Sequence, residues 1–376
     1  MTRRPVLWIC GPSGVGKTTV GFALFEELSR AGIAIAFVDL DQLGLCYPAP
    51  PHDPRNHRLR ARNLSEAWSA FAAAGARCLV VSGLVDDAAE VRRHAELLPD
   101  SDVTVCRLRV GHDELRGRIA RRGSFVDQTE EAIRNADALD RSDFADLVVD
   151  TSGTAVAKLV ARIRDSGWPG TVAPPAALPA PPSTPPPVPR PAAFPVLLVC
   201  GPPAVGKSTV GYEIFRRVVG DGIPAAYVDL AQIGFCRPST DRHRLTAPLL
   251  ARLWPGFHAA GAQCLVLSGS VADAEALDRY RAALPSARWS VCRLRAEPGT
   301  LAERVELRGQ GGGPAIAGDE LRGRPPEELH RRAAQAVEVA AALDRADIGD
   351  LRVDTDGREV ADLADLVRDR LGGWPG

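Results

Sequence analysis

The sequence has 376 residues and a formal net charge of −1 at pH 7, with 45% hydrophobic and 25% charged residues. This length and composition are typical of a globular protein of two or three domains. The balanced charge excludes a general attraction to nucleic acid or to an anionic membrane, and no apolar stretch approaches the ~20 residues of a membrane span. We therefore expect a cytoplasmic protein that binds neither.

A glycine-rich loop follows the first apolar run, Val6 to Cys10, and matches the Walker A pattern of a glycine, four free positions and Gly-Lys-Ser/Thr. A second such loop follows the apolar run from Val196 to Cys200. Backbone N–H groups of such a loop, and of the helix after it, bind phosphate. The predicted nucleotide-binding residues are Gly11, Ser13, Gly14, Val15, Gly16, Lys17, Thr18 and Thr19 in the first loop and Gly201, Pro203, Ala204, Val205, Gly206, Lys207, Ser208 and Thr209 in the second.

The lysine of each loop is predicted to contact the outer phosphates of ATP, and the hydroxyl after it is predicted to hold Mg²⁺. Only three of the 46 basic residues are lysines, and two of these are Lys17 and Lys207. A compact ammonium suits a phosphate cradle better than the planar guanidinium of arginine does. ATP and Mg²⁺ are therefore the predicted cofactors, with Thr18 and Ser208 as metal ligands.

Apolar runs rich in β-formers alternate with amphipathic helical segments after the first loop. Strands are predicted near 6–10, 34–39, 77–82, 103–109 and 146–150, and helices near 17–30, 56–74, 86–97, 112–122, 128–140 and 154–165. Continuous apolar strands suit a parallel sheet that is covered by helices on both faces. The predicted fold is α/β, a doubly wound, five-stranded parallel sheet of the P-loop type.

The same pattern repeats in the second part of the chain, at an offset of 190 residues from Lys17 to Lys207. We predict a tandem duplication, with domains at 1–170 and 196–376 that also pair with one another. The connecting segment, 171–195, is mostly Pro and Ala, which favours a semi-rigid extended spacer. Its Pro-rich stretch at 185–190 leaves a role as a ligand for an SH3-type domain open.

Carboxylates follow the second strand of each copy, where parallel α/β sheets bind their ligands. Asp39 and Asp41 stand there in the first copy, whereas the second has Asp229 and Ala231. Such a pair can orient metal-bound water or accept a proton from an attacking hydroxyl, and a strand-end Asp can also simply cap a turn. We predict Asp39 and Asp229 as metal ligands and the first copy as the better catalyst.

Arginines form two groups in each copy. One lies at 55–63, with Arg244 as a counterpart in the second copy, and fits either an anionic acceptor or a solvated helix face. The other, at 116–122, precedes a glycine and fits either a closing lid or a surface helix. The second copy carries a longer insertion there, from Gly309 to Pro326.

The eight cysteines form four pairs at equivalent positions, and no Cys-x-x-Cys motif is present. This spacing makes a zinc site improbable. Cys46 and Cys236 fall in predicted loops, where we expect exposed thiols.

The order of these features resembles the small P-loop kinases, namely adenylylsulfate kinase and its shikimate- and gluconate-kinase-like relatives. The resemblance spans nearly all of each copy, and only the P-loop in it is specific. It implies ATP·Mg²⁺ as donor and a small-molecule hydroxyl as acceptor. It assigns Asp39 and Asp41 to metal and acceptor, Arg58 and Arg62 to an anionic group of the acceptor, and Arg118 and Arg122 to the lid.

Three functions remain open at this point. The first is a tandem small-molecule kinase whose catalytic residues include Lys17, Asp39 and Asp41 in the first copy and Lys207 and Asp229 in the second. The second is an ATP-binding regulatory or scaffold protein, which the Ala231 substitution and the 309–326 insertion favour for the second copy. The third is a phosphotransferase that modifies an antibiotic or a larger metabolite.

Overall fold

A computed structural model describes residues 3–98, 100–122, 126–172, 193–238, 242–313 and 316–376. The first half consists of β1 (Arg4–Cys10), α1 (Lys17–Arg30), β2 (Ile35–Asp39), β3 (Cys46–Tyr47), α2 (His57–Ala73), β4 (Cys78–Ser82), α3 (Ala88–Glu96), β5 (Ser101–Arg109), α4 (His112–Arg122), α5 (Thr129–Asp140), β6 (Leu147–Asp150) and α6 (Val156–Arg164). Five of these strands form a parallel sheet in the order β2-β4-β1-β5-β6.

The second half repeats this architecture. It consists of β7 (Phe194–Cys200), α7 (Lys207–Gly220), β8 (Ala225–Asp229), α8 (Arg242–Ala259), β9 (Cys264–Ser268), α9 (Ala274–Ala283), β10 (Ala287–Arg295), α10 (Pro298–Gly309), α11 (Pro326–Arg345), β11 (Leu351–Asp354) and α12 (Val360–Arg370). Its parallel strands lie in the order β8-β9-β7-β10-β11, equivalent to that of the first half.

The predicted fold class is confirmed: the five strands that each half contributes to its own sheet are parallel, and the P-loop follows the central one. The central strands are buried on both faces, which explains their unbroken apolar sequences. The middle of the predicted spacer, 171–195, lies outside the described residues. Strand β7 begins inside the predicted spacer, at Phe194. No helix in the described part of the chain is long and apolar enough to cross a membrane.

The two sheets meet edge to edge through exchanged segments. Cys46, in β3, pairs antiparallel with Ala226 of β8, and Ala36 of β2 forms an equivalent bridge with Cys236. The two pairs are equivalent, because each residue of one pair lies 190 positions from its counterpart in the other, the offset that also relates the two P-loops. The second sheet therefore has six strands rather than the predicted five, because its edge strand comes from the first half.

The exchange explains why two cysteines are buried. Cys46 and Cys236 are each 1% exposed, so the expectation of exposed thiols is wrong. Burial raises the pKa of both thiols to about 12. Both lie in segments that pair with the sheet of the other half, which buries them. Local sequence does not encode such a long-range contact.

Aromatic packing extends the exchange into the core of the first half. Phe235, which follows β8, is 5% exposed, and its ring lies 5.0 Å from that of Phe22 and 5.9 Å from that of Phe37. Its carbonyl accepts a hydrogen bond from the Phe37 N–H at 2.9 Å. A residue of the second half thus completes the hydrophobic core beneath α1.

Helices α2 and α8 pack against one another on the face of the sheets opposite to α1. At their contact, a Cβ on Gly256 would lie 2.3 Å from the Asn63 side-chain oxygen, so a larger residue there would have to displace that side chain. Arg252 and Glu66 form an ion pair of 3.3 Å across the same contact. One apolar cluster consequently runs through both halves.

Candidate functional site

The first P-loop connects the buried β1 to α1 and leaves its backbone N–H groups at the helix N-terminus. Gly16, the N-cap, has φ 103°, in the left-handed region, and a Cβ on Gly11 would lie 2.5 Å from the Leu108 carbonyl oxygen. N–H groups of the first helical turn have no acceptor within the helix, so they suit an anion. The Lys17 Nζ donates to the Pro12 carbonyl at 3.0 Å, folded back over the loop.

Thr18 and two carboxylates meet at the end of β2. The Thr18 hydroxyl donates to Asp39 Oδ2 at 2.7 Å, and the Asp41 N–H donates to Asp39 Oδ1 at 3.1 Å. Burial and the charge of Asp41 raise the pKa of Asp39 to about 6, although Thr18 and Lys17 oppose this rise. A desolvated carboxylate beside a threonine hydroxyl is a donor set that fits Mg²⁺, a hard cation that prefers oxygen ligands.

Asp41 has a different environment, because its side chain is 56% exposed and lies 3.3 Å from the Arg60 guanidinium. It can therefore meet a second substrate that enters from solvent. The sequence left open whether Asp39 caps a turn or serves the phosphate site. Its carboxylate caps the turn after β2 and also contacts the P-loop hydroxyl.

The second P-loop has the same backbone path with three substitutions. Gly206 has φ 100° and Lys207 Nζ donates to the Pro202 carbonyl at 2.8 Å. Ala204 stands where the first loop has Gly14, and it keeps a positive φ of 62°, which is unfavourable for a residue with a Cβ. Asp229 is 5% exposed and accepts the Ala231 N–H at 2.9 Å, so no carboxylate stands at the Asp41 position.

The second site also has contacts that involve the insertion after α10. Burial lowers the pKa of Lys207 to about 8, against the opposing charge of Asp229. The insertion after α10 returns toward the site: the Gln232 amide donates to the Ala317 carbonyl at 3.0 Å, and Arg308 pairs with Asp319 at 3.1 Å. Asp319 is only 7% exposed, so this pair is an internal one.

Arg118 is held by protein groups on all sides. Its guanidinium donates to the Val15 carbonyl at 2.9 Å, to the Thr151 carbonyl at 2.9 Å and to Glu114 at 2.7 Å. Arg304 makes the same contacts to Val205 and Thr355 in the second half. In this structure Arg118 ties α4 and the end of β6 to the P-loop; its assignment to a lid stays a prediction.

The remaining predicted arginines lie on α2, α4 and α8. Arg58 and Arg62 are exposed, one turn apart on α2. Arg244 is exposed in the first turn of α8. Arg122 ends α4, and its side chain is outside the described residues. Thr19 and Thr209 lie in the first turns of α1 and α7.

A charged cluster that the sequence did not indicate lies beside α2 and α3. His57 Nδ1 is 2.5 Å from Glu90 and its Nε2 is 3.3 Å from Asp86, which also pairs with Arg55 at 2.6 Å. Hydrogen bonds to the two carboxylates raise the pKa of His57 to about 9. His57 and Glu90 are 33 positions apart in the sequence, so their contact depends on the fold.

No protein-family model and no curated protein sequence matches the chain. Solved structures resemble part of it. The tunicamycin resistance protein of Deinococcus radiodurans is 24% identical, with a TM-score of 0.35, over 46% of this chain and 100% of its own. A gluconokinase from Sinorhizobium meliloti is 18% identical, with a TM-score of 0.32, over 46% of this chain and 93% of its own. The APS kinase of Mycobacterium tuberculosis is 19% identical, with a TM-score of 0.31, over 48% of this chain and 99% of its own.

Proposed function

We propose that the first half is an ATP-dependent kinase that transfers the γ-phosphoryl group to a hydroxyl of a small molecule. The observation that carries this proposal is the assembly of Lys17, Thr18, Asp39 and Asp41 at one edge of the sheet, with Thr18 Oγ1 2.7 Å from Asp39. Phosphoryl transfer depends mainly on positioning and on charge stabilisation, which are what such an assembly supplies.

Each side chain has a separate role in this proposal. The P-loop N–H groups and Lys17 bind the phosphates, and Thr18 and Asp39 would hold Mg²⁺, which when bound neutralises charge on the phosphate oxygens. Asp41 accepts the proton of the acceptor hydroxyl, which its 56% exposure permits. Arg118 is a positioning residue that fixes the P-loop through Val15.

The second half binds nucleotide with little or no turnover in this proposal. It lacks the exposed carboxylate, since Ala231 replaces Asp41. Its insertion contacts the turn after β8 through the Gln232–Ala317 hydrogen bond of 3.0 Å. These two observations favour a regulatory or scaffolding role for this half, and they support the first half as the catalyst.

The test uses the full chain, because each half completes the edge of the other. Mg·ATP is supplied with gluconate, adenylylsulfate, nucleosides, aminoglycosides or tunicamycin, and acceptor-dependent ADP and the phosphorylated product are measured by mass spectrometry. The proposal expects transfer to one of these classes, and loss of transfer in Asp39→Asn with the fold retained. Tight ATP binding without transfer to any acceptor would instead favour a nucleotide-dependent switch.

A further inference from the structure

The insertion after α10 contacts both halves of the chain at positions two residues apart. Asp319 pairs with Arg308, near the end of α10, through an Nε–Oδ2 distance of 3.1 Å. Ala317 is 4% exposed and belongs to the hydrophobic cluster of the first half. Because planar peptide units leave only two soft torsions per residue, a shift of Asp319 also displaces Ala317.

On the side of the first half, the insertion packs against aromatic rings. A Cβ on Gly318, which has φ 68°, would lie 2.7 Å from the ring of Phe235 and 3.4 Å from that of Phe22. Phe22 lies one turn after Thr18 on α1, so the two side chains share a face of that helix. The insertion of the second half therefore rests on the helix that carries the Thr18 hydroxyl of the first phosphate site.

On the side of the second half, Arg308 lies beside the second P-loop. One turn earlier on α10, Arg304 donates to the Val205 carbonyl of that loop at 3.3 Å. Burial, with a smaller contribution from the charge of Arg308, lowers the pKa of Lys207 to about 8. The Arg308 side chain is 33% exposed. A guanidinium in this position can bind a phosphate, for which its planar donors are well suited.

Phosphate and Asp319 are thus alternative partners for one guanidinium. The Asp319 side chain is 7% exposed, and a buried carboxylate that loses its cation is strongly unfavourable unless it regains solvent. We propose that nucleotide phosphates bound at the second P-loop displace Asp319 from Arg308, and that segment 316–321 then withdraws from the core of the first half. This inference rests on the part of the proposed function in which the second half binds nucleotide.

The test uses the full-length Lys17→Ala chain, in which the first P-loop has lost its phosphate-binding lysine. Native-state hydrogen exchange is measured with and without Mg·AMPPNP at the Phe37 amide, which donates to the Phe235 carbonyl at 2.9 Å. We expect AMPPNP to lower the protection of this amide about fivefold or more, as is typical of coupling between two sites. The additional change Lys207→Ala should abolish this response.

Asp319→Asn and Glu320→Gln, each in the Lys17→Ala chain, are matched removals of charge at adjacent positions. With Asp319→Asn, AMPPNP should no longer lower the Phe37 protection and should bind about fivefold tighter, because it no longer breaks an ion pair. Glu320 is exposed and pairs with Arg332, so Glu320→Gln should keep the response. If Asp319→Asn does not fold, Arg308→Met replaces it and should also remove the response.

Calorimetry with AMPPNP on the same chains separates two kinds of failure. If AMPPNP does not bind to the Lys17→Ala chain, the nucleotide site proposed for the second half is wrong, and this inference fails as well. If AMPPNP binds but the Phe37 protection stays the same or rises, the inference alone is overturned. A response that persists in Asp319→Asn, or after Lys207→Ala, would also overturn it.

Discussion

Phe235 offers a direct test of the exchange between the halves, because it belongs to the second half and packs in the first. Its side chain is 5% exposed and contacts the rings of Phe22, Phe25 and Phe37 at centroid distances of 5.0, 6.2 and 5.9 Å. Truncation of a buried Phe to Ala usually costs about 3–5 kcal/mol. We therefore expect Phe235→Ala to destabilise the first half by about 3–4 kcal/mol.

The suitable assay is native-state hydrogen exchange, which reports the free energy of local opening for separate segments. The amide of Phe37 is the diagnostic probe, because it donates to the Phe235 carbonyl at 2.9 Å. Phe235→Leu is the matched control, since Leu45 stands at the equivalent position of the first half. It should cost less than Phe235→Ala, because leucine leaves a smaller cavity than alanine.

The reasoning would be refuted if Phe235→Ala left the protection of β2 unchanged while lowering that of β8 and β9. Such a result would mean that Phe235 stabilises only its own half. Equal losses in Phe235→Ala and Phe235→Leu would also contradict the packing argument, because the volume that leucine restores would then contribute nothing.

Three further predictions concern the first half. Asp41→Ala, which copies the state of Ala231, should lower acceptor turnover by about 10²–10⁴ with an unchanged ATP Kd, measured by steady-state kinetics and calorimetry. Arg118→Met should weaken ATP binding by about tenfold or more because the Val15 carbonyl loses its donor, whereas the exposed Arg121→Met should not. The His57 pKa is raised from 6.5 to about 9, so its ion pairs stabilise the fold fully below pH 6.5 and are lost as pH rises toward 9. His57→Gln should therefore cost about 1–2 kcal/mol more at pH 6.5 than at pH 9.5 in urea unfolding, allowing for screening of a partly exposed group; equal costs at both pH values would exclude this role.

Local sequence was enough to predict the five parallel strands and the six helices of the first half. The predicted strand near 34–39 is observed at Ile35–Asp39, and the predicted helix at 112–122 is observed at His112–Arg122. Apolar periodicity and the P-loop signal both act over short distances, so they can be read without the fold. The carboxylates and the P-loop hydroxyl meet because parallel strands end at one edge of the sheet.

The exchanged segments could not be predicted in the same way. Cys46 and Phe235 lie in short segments whose partners are far along the chain, and edge pairing leaves almost no local pattern in two residues. The contacts of Arg118 were also hidden, because spacing places an arginine on α4 without showing that Val15 and Thr151 accept its hydrogen bonds. His57 was visible, but its carboxylate partners depend on the packing of α2 against α3.

The central claim is that the first half performs phosphoryl transfer and the second does not. The most direct measurement is acceptor-dependent ADP formation by full-length Lys17→Ala and Lys207→Ala, compared with the wild-type chain under the same Mg·ATP and acceptor. The account predicts loss of turnover in Lys17→Ala and nearly wild-type turnover in Lys207→Ala. Retained turnover in Lys17→Ala with loss in Lys207→Ala would contradict it, and would identify the second half as the catalyst.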